Sequence, residues 1–334
     1  MALDLIFFYA AILLLGIFLY VILDGFDLGI GILYPLVPRS DDRTVMMNSI
    51  APIWDGNETW LVLGGAGMLA AFPLAYAVLL SAFYVPLSIM LVALILRGVA
   101  FEFRIKAGRE RVIWSATFFL GSALAAFMQG AVLGAFLGGV EVEGRDFVGG
   151  PLDWLTTFSV VCGLGVMVGY TLLGATWLIM KTEGRLQDWS YNCAQWCLAG
   201  VVFFLFAVSL WTPLRHETVA ERWFSFPNIV LLSWVPLACA LVLWRLWLGI
   251  KRCREISPFV YTVTLFFLGY LGLIISMWPF AIPPAITIWQ AAAPSESLQF
   301  LMFGFVFLVP LVVGYTIYSY NVFRGKVSPT DGYH

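Results

Sequence analysis

The chain carries little charge, and its sequence contains no tract of clustered basic residues. Only 11% of its 334 residues are charged, whereas soluble globular domains carry about 25%. Hydrophobic residues make up 61% of the chain, more than a soluble core of this length could bury. This composition excludes an ordinary soluble domain, and the lack of a basic tract predicts that nucleic acid is not a partner.

Histidine is almost missing, and the usual cofactor motifs are missing altogether. The two histidines are His216, in a predicted loop, and the terminal His334. A haem inside a helix bundle needs axial ligands within the bilayer, commonly histidine. The sequence has no Cys-x-x-Cys-His motif, no Rossmann glycine pattern and no P-loop, and its five cysteines show no metal-binding spacing. We therefore expect no redox centre and no metal site in this chain alone.

Long apolar runs dominate what the sequence does contain. Each run is long enough for a helix to cross the hydrocarbon core, and none shows the alternation of a membrane β-barrel strand. The sequence predicts an all-α polytopic membrane protein in which residues 1–334 form a single integral membrane domain. Nine transmembrane helices are expected, at approximately 4–34, 51–72, 76–104, 112–138, 153–180, 190–211, 225–248, 258–278 and 298–322.

The basic residues predict the orientation of these helices. Fifteen of the eighteen Lys and Arg residues fall on one side, and such an excess marks the cytoplasmic face. The N-terminus is then outside and the C-terminus cytoplasmic, which requires an odd number of helices. The fifteen are Arg39, Arg43, Arg97, Arg104, Lys106, Arg109, Arg111, Lys181, Arg185, Arg245, Lys251, Arg252, Arg254, Arg324 and Lys326.

Four carboxylates interrupt the first two apolar runs. Asp24 and Asp27 lie in the first predicted helix, and Asp55 and Glu58 lie in the second. Each pair is spaced three residues apart, which places its members on one face of a helix. At an axial rise of about 1.5 Å per residue, all four lie roughly 8–15 Å inside the cytoplasmic boundary. The two antiparallel helices could therefore bring the four side chains to one depth.

Two interpretations of these carboxylates stay open. Ionisable groups inside a membrane are costly and usually mark proton or ion paths, so the set could be a proton entry. Alternatively, the acidic residues could pair with arginines, or Asp24 and Asp27 could bond backbone that Gly25 and Gly29 loosen. We favour a proton path for Asp55 and Glu58. We favour structural ion pairs for a second set, in which Glu102 pairs with Arg97 or Arg104 on the third predicted helix.

Several motifs together resemble one known family, subunit II of the bacterial cytochrome bd-type quinol oxidases. They cover the first five predicted helices, and the nine-helix layout covers the chain. The motifs are Gly25-Phe26-Asp27-Leu28-Gly29, Trp54-Asp55-Gly56-Asn57-Glu58-Thr59-Trp60-Leu61, Arg97-Gly98-Val99-Ala100-Phe101-Glu102-Phe103-Arg104, Gly174-Ala175-Thr176-Trp177 and Lys181-Thr182-Glu183-Gly184.

The resemblance implies a fold, a complex and a location. In this family subunit II has two four-helix bundles plus a peripheral helix, here residues 4–138, 153–278 and 298–322. The complex oxidises quinol and reduces O2 to water in the bacterial cytoplasmic (inner) membrane. Subunit I carries the two b haems and one d haem, so a haem-bearing subunit I is the expected partner. A small single-helix accessory subunit, membrane lipid and a structural ubiquinone are further candidates for binding.

The resemblance also implies a role for the acidic residues. The family's proton-path candidate maps onto Asp55, and the aspartate of its Gly-Phe-Asp motif maps onto Asp27. Protons would enter near these residues, pass Glu58 and reach a haem in the partner, with Asp24 part of the same set. The alternative function is a proton- or cation-coupled secondary transporter. Membrane carboxylates fit it, but the inverted pair of interrupted helices that such folds contain is missing from the sequence.

Overall fold

The computed structural model describes residues 2–108 and 110–328. Arg109 and His334, both named above, lie outside these residues, and the side chain of Lys106 is not described. The described chain is mostly helical. Its helices are α1 (Ala2–Leu33), α2 (Ser40–Asn48), α3 (Trp54–Ala71), α4 (Pro73–Lys106), α5 (Arg111–Gly138), α6 (Thr157–Lys181), α7 (Gly184–Arg215), α8 (Glu217–Phe224), α9 (Asn228–Leu232), α10 (Trp234–Lys251), α11 (Ser257–Met277), α12 (Ile288–Ala291) and α13 (Ser295–Val322).

Two small hairpins lie in the connections. Strands β1 (Val142–Glu143) and β2 (Asp146–Phe147) pair antiparallel after α5. Strands β3 (Phe280–Ile282) and β4 (Ile286–Thr287) pair antiparallel between α11 and α12. The second hairpin packs against α4, so the connection before α13 folds back onto the helices.

Eight helices in the described part of the chain are long and apolar enough to cross a membrane. This confirms the all-α polytopic class. The predicted span missing from these eight is the second, residues 51–72, which corresponds to α3, a helix of 18 residues. Asp55, Asn57 and Glu58 in its first two turns make it less apolar than the others. The count of nine and the orientation derived from it therefore stay predictions.

The boundaries differ from the expected ones mainly in the connections. The short helix α2 between the first two spans was not predicted, and α7 begins about two turns earlier than expected. The seventh predicted helix, residues 225–248, is divided into α9 and α10 at Ser233. Such ends depend on capping and on neighbouring contacts, which hydropathy alone does not encode.

The long helices form two groups along the chain, and α6 also packs against helices of the first group. Helices α1, α3, α4 and α5 contact one another, as do α6, α7, α10 and α11. Helix α6 also packs extensively against α1 and α5, which joins the two groups, and α13 lies against α3 and α1. This arrangement is compatible with two bundles and a peripheral helix, and the division into these units stays a prediction.

The crossing of α1 and α6 explains two of the glycine-containing motifs. A Cβ on Gly29 would lie 1.8 Å from the backbone oxygen of Tyr170, and one on Gly174 would lie 2.6 Å from the backbone carbon of Gly29. Only glycine lets two helix backbones approach so closely. Phe26 and Trp177 then stack across the crossing with ring centroids 4.1 Å apart. The motifs therefore define a tight helix contact.

Replacing Gly29 by alanine should destabilise this crossing. The added methyl group would meet backbone, which cannot move aside, so we expect a loss of about 1–3 kcal/mol or more. The measurement is the thermal unfolding of the purified protein in detergent. Gly269→Ala is the matched control, since a Cβ there has nothing within 4 Å. Equal thermal stability of the two variants would contradict the proposed contact.

The C-terminal segment is tied to the loops on the side rich in basic residues. Lys181 Nζ donates to the Phe323 and Gly325 oxygens at 2.5 and 3.1 Å. The Val327 amide donates to the Lys181 oxygen at 2.8 Å. Lys326 Nζ lies 3.0 Å from Glu255 Oε2, and this hydrogen bond holds the pKa of Glu255 below its usual range. The Lys181-Thr182-Glu183-Gly184 motif thus contributes the docking point of this segment.

Candidate functional site

A buried ion-pair cluster joins α1, α3 and α4. Arg97 Nη1 lies 2.6 Å from Asp24 Oδ1, and Arg97 Nη2 bonds to Glu58 Oε1. Asp24 is fully buried and Arg97 is 3% exposed, whereas the Glu58 side chain is 29% exposed. One guanidinium therefore serves two carboxylates, one in the protein interior and one that reaches the surface of this chain. The five-donor fork of arginine suits such double pairing better than lysine would.

The second aspartate of α1 is held by an amide. Asn57 Nδ2 donates to Asp27 Oδ2 at 2.7 Å and to the Leu23 oxygen at 3.1 Å. The Tyr320 hydroxyl of α13 donates to Asn57 Oδ1 at 3.0 Å. Asp27 and Asn57 are both 1% exposed. The α3 motif therefore supplies Asn57 to one aspartate and Glu58 to the arginine that binds the other.

Some polar atoms of this cluster make no hydrogen bond within the described residues. They are Asp24 Oδ2, Asp27 Oδ1 and Arg97 Nε. Asp27 and Arg97 also line one small cavity with Ile50, Trp54 and Phe101. An unpaired carboxylate oxygen in such a place has the capacity to accept a proton. The cluster therefore has the chemistry of a proton-accepting site as well as that of a structural ion pair.

The glycines beside the aspartates do not free backbone groups of α1, as one of the structural alternatives above supposed. Helix α1 runs without interruption from Ala2 to Leu33, so Gly25 and Gly29 do not loosen it. Gly25 faces the Tyr170 ring, where a Cβ would lie 2.8 Å from the nearest ring carbon. Because Gly25 and Gly29 contact α6, the two aspartates on the same helix turn toward α3 and α4. Of the structural alternatives left open above, the aspartates do not bond freed backbone, whereas Asp24 does pair with an arginine.

A separate hydrogen-bonded chain next to this cluster joins α1, α5 and α6. Tyr170 OH donates to Gln129 Oε1 at 2.7 Å, and Gln129 Nε2 donates to the Tyr20 hydroxyl oxygen at 2.8 Å. Tyr20 lies one turn before Asp24 on α1. Gln129 of α5 thus bonds to α1 and to α6, and its place in an apolar run does not reveal these partners. A lone tyrosine in an aromatic-rich sequence gives no signal that would have identified Tyr20 or Tyr170.

Asp55 lies apart from the buried cluster. Its side chain is exposed at the start of α3, whereas Asn57 on the same helix is buried. Thr59, Val62 and Leu69 continue the exposed stripe along α3. The structure thus brings together Asp24, Glu58 and Arg97, with Asp27 beside them. It leaves Asp55 on the outer surface of the same helix.

The expected pairing of Glu102 with Arg97 or Arg104 is not formed. Glu102 is exposed, Arg97 bonds to Asp24 and Glu58, and Arg104 donates to Ser115 Oγ at 3.1 Å and contacts Met47 Sδ at 3.3 Å. The reason is helix geometry. Five residues correspond to a rotation of about 140°, so Glu102 points away from the face that carries both arginines. Arg104 is held instead by Ser115 and by the Tyr34 ring, 5.1 Å away.

The donor set of the described residues does not fit a haem or a metal cluster. No group of three His, Cys, Asp or Glu side chains among them could hold a metal ion. The one histidine of the described chain, His216, follows the last residue of α7 and stands outside the candidate span.

The apolar helices and the ionisable side chains that they enclose show which class of protein this is. This is a multi-pass membrane protein with charged groups inside its span, an arrangement usually linked to proton or ion movement. The sequence model of one family, described as cytochrome bd terminal oxidase subunit II, matches residues 5–323. The chain belongs to that family and is thus a subunit of a quinol oxidase complex.

Curated relatives and a solved structure agree with this assignment. The chain is 30% identical to the cytochrome bd-I ubiquinol oxidase subunit 2 of Escherichia coli, over 96% of this chain and 94% of that one. It is 29% identical to the cytochrome bd ubiquinol oxidase subunit 2 of Bacillus subtilis, over 97% and 96%. A chain of the bd oxidase from Geobacillus thermodenitrificans has the same fold, with a TM-score of 0.72 at 18% identity. That match covers 96% of this chain and 98% of the other.

Proposed function

We propose that this chain supplies proton uptake and an assembly scaffold to the haem-bearing subunit I of a bd-type quinol oxidase. Subunit I oxidises quinol, reduces O2 to water and holds the haems. This chain contributes protons from the cytoplasmic side of the bacterial inner membrane, with nine spans and its N-terminus outside. Protons from quinol are released outside, whereas the protons for O2 reduction are taken up from the cytoplasm. This difference separates charge across the membrane without proton pumping. The family assignment favours this function over that of a secondary transporter.

The observation that carries the proposal is the position of Asp55 on the exposed stripe of α3. A carboxylate that faces lipid is unfavourable by several kcal/mol, so this stripe should be covered by protein. The residues that follow Asp55 along this stripe are compatible with close helix packing. Gly65 has nothing within 4 Å of a Cβ position, and Thr59 adds a hydroxyl group. We assign this stripe to the contact with subunit I, where Asp55 could pass protons to the partner.

The buried cluster takes a supporting role in this proposal. Glu58 reaches the same surface and shares Arg97 with Asp24, so it is the second proton-path residue. Asp24 and Asp27 are fixed by Arg97 and Asn57 and act as positioning residues that hold α1, α3 and α4 in register. A proton that reaches Glu58 would weaken its attraction to Arg97. The arginine remains neutralised by Asp24 at that moment.

Co-purification tests the partner assignment. When this chain carries an affinity tag and is expressed in its native host membrane, where the other subunits of the complex are present, a haem-bearing protein should purify with it. The purified complex should consume O2 with quinol as electron donor. Introducing tryptophan at Gly65 on the stripe should prevent this association, whereas tryptophan at Gly269, which also has open space around it, should not. Isolation of the chain alone from wild-type membranes would contradict the proposal.

A further inference from the structure

A cavity outside the acidic cluster lies between residues 37–39, which precede α2, the first turn of α2 and the start of α7. It has a volume of about 180 Å³ and lies beside Asp42 and Leu186. Its other lining residues are Val37, Pro38, Arg39, Arg185 and Trp189. The candidate span that contains α1 ends at Leu36 and that of α7 begins at Gly184. The cavity therefore opens at the level where these spans meet the membrane surface.

The cavity surface is almost entirely apolar, and two cations lie at its rim. Val37, Leu186 and Trp189 form the apolar part, and Trp189 is a residue type that prefers the membrane interface. Arg39 and Arg185 are both exposed at the rim. Arg185 Nη2 pairs with Asp42 Oδ2 at 2.7 Å, whereas Arg39 makes no ion pair with a described residue. The cavity thus keeps one uncompensated positive charge beside an apolar surface.

The local backbone shapes the cavity without adding to its positive charge. Helices α2 and α7 both begin beside the cavity, but Asp41 and Asp42 lie in the first turn of α2 and Glu183 precedes α7. Arg43 Nε donates to the Val37 oxygen at 2.7 Å, which fixes the turn that forms one wall. A ligand that matches the site has an anionic head for the arginines and an apolar body for the walls.

We propose that this cavity binds the glycerol region of an anionic phospholipid, with the headgroup phosphate at its arginine rim. The phosphate lies between Arg39 and Arg185, the glycerol region fills the apolar cavity, and the acyl chains leave it past Trp189 into the bilayer. Basic pockets between transmembrane helices at a membrane surface bind anionic lipid headgroups in this manner. The lipid would link the α1–α2 turn to α7, two segments that the chain itself joins through the Arg185–Asp42 pair.

The test uses the intact, purified oxidase complex and native mass spectrometry. Wild-type complex should retain dioleoylphosphatidylglycerol in preference to dioleoylphosphatidylcholine. Each arginine near an anionic surface contributes a factor of about five in affinity, so R39Q/R185Q should bind the anionic lipid roughly 30-fold more weakly. Arg111→Gln is the control, because Arg111 is an exposed arginine on the same side but away from the cavity. It should retain wild-type affinity.

Three results would overturn the proposal. They are unchanged retention of phosphatidylglycerol by R39Q/R185Q, equal binding of phosphatidylcholine, and displacement of the bound lipid by excess inorganic phosphate. A second measurement does not depend on the variants. Phosphatidylglycerol with a photoreactive group near its headgroup should crosslink wild-type complex within residues 185–189. Crosslinks found only in other segments would contradict the assignment.

Discussion

Replacing Asp55 by asparagine should lower quinol-dependent oxygen consumption by about 100-fold or more. A positioned group that transfers protons typically contributes this much, and asparagine keeps the shape of the side chain while removing its proton-carrying capacity. Because Asp55 is exposed in this chain and makes no ion pair with a described residue, its loss should leave the fold intact. The haem spectrum and the subunit ratio of the purified complex should therefore match those of wild type. Asp55→Glu should restore much of the activity.

Two controls separate proton conduction from assembly. Asp146→Asn removes an exposed carboxylate in the β1–β2 hairpin, far along the chain from α3, and should leave turnover unchanged. Glu58→Gln tests the second residue of the path and should reduce turnover as well. Normal turnover and normal proton uptake by Asp55→Asn would remove Asp55 from the path. Loss of haem together with activity would make assembly the better explanation.

Replacing Arg97 by methionine should damage folding more than any other single change in the site. The substitution leaves Asp24 fully buried without its cation and removes the partner of Glu58. Breaking a buried ion pair by removing one member costs about 3–5 kcal/mol. We expect little or no assembled complex, measured as the yield of haem-containing protein and its thermal unfolding. Arg97→Lys should be intermediate, because an ammonium cannot hold two carboxylates as a guanidinium does.

A double variant distinguishes electrostatics from lost packing. If an uncompensated Asp24 causes the damage, Asp24→Asn combined with Arg97→Met should recover part of the lost stability. Residues in one ion-pair network commonly show such non-additive effects. Arg111→Met is the control for removing an exposed arginine and should behave as wild type. A double variant as unstable as the sum of both single changes would show that Arg97 acts through packing.

Sequence patterns predicted the location of the acidic motifs well and their partners poorly. The spacing of Asp24 and Asp27 correctly placed both on one face of α1. It could not show that Gly25 and Gly29 contact α6 and so turn that face toward α3 and α4. The interpretation of Glu102 failed because opposite charges near each other in sequence were assumed to meet. On a helix, a separation of five residues places them on different faces.

Composition and apolar run length determine the class of this protein by themselves. A chain this apolar must satisfy its backbone within helices, so multiple spans follow from the sequence. The sequence does not determine how each helix is rotated about its own axis. When most faces of a helix are apolar, periodicity does not specify which face meets a neighbour and which meets lipid. Only the tertiary contacts, above all the crossing at Gly29 and Gly174, decide that Asp24 and Asp27 are buried while Asp55 stays outside.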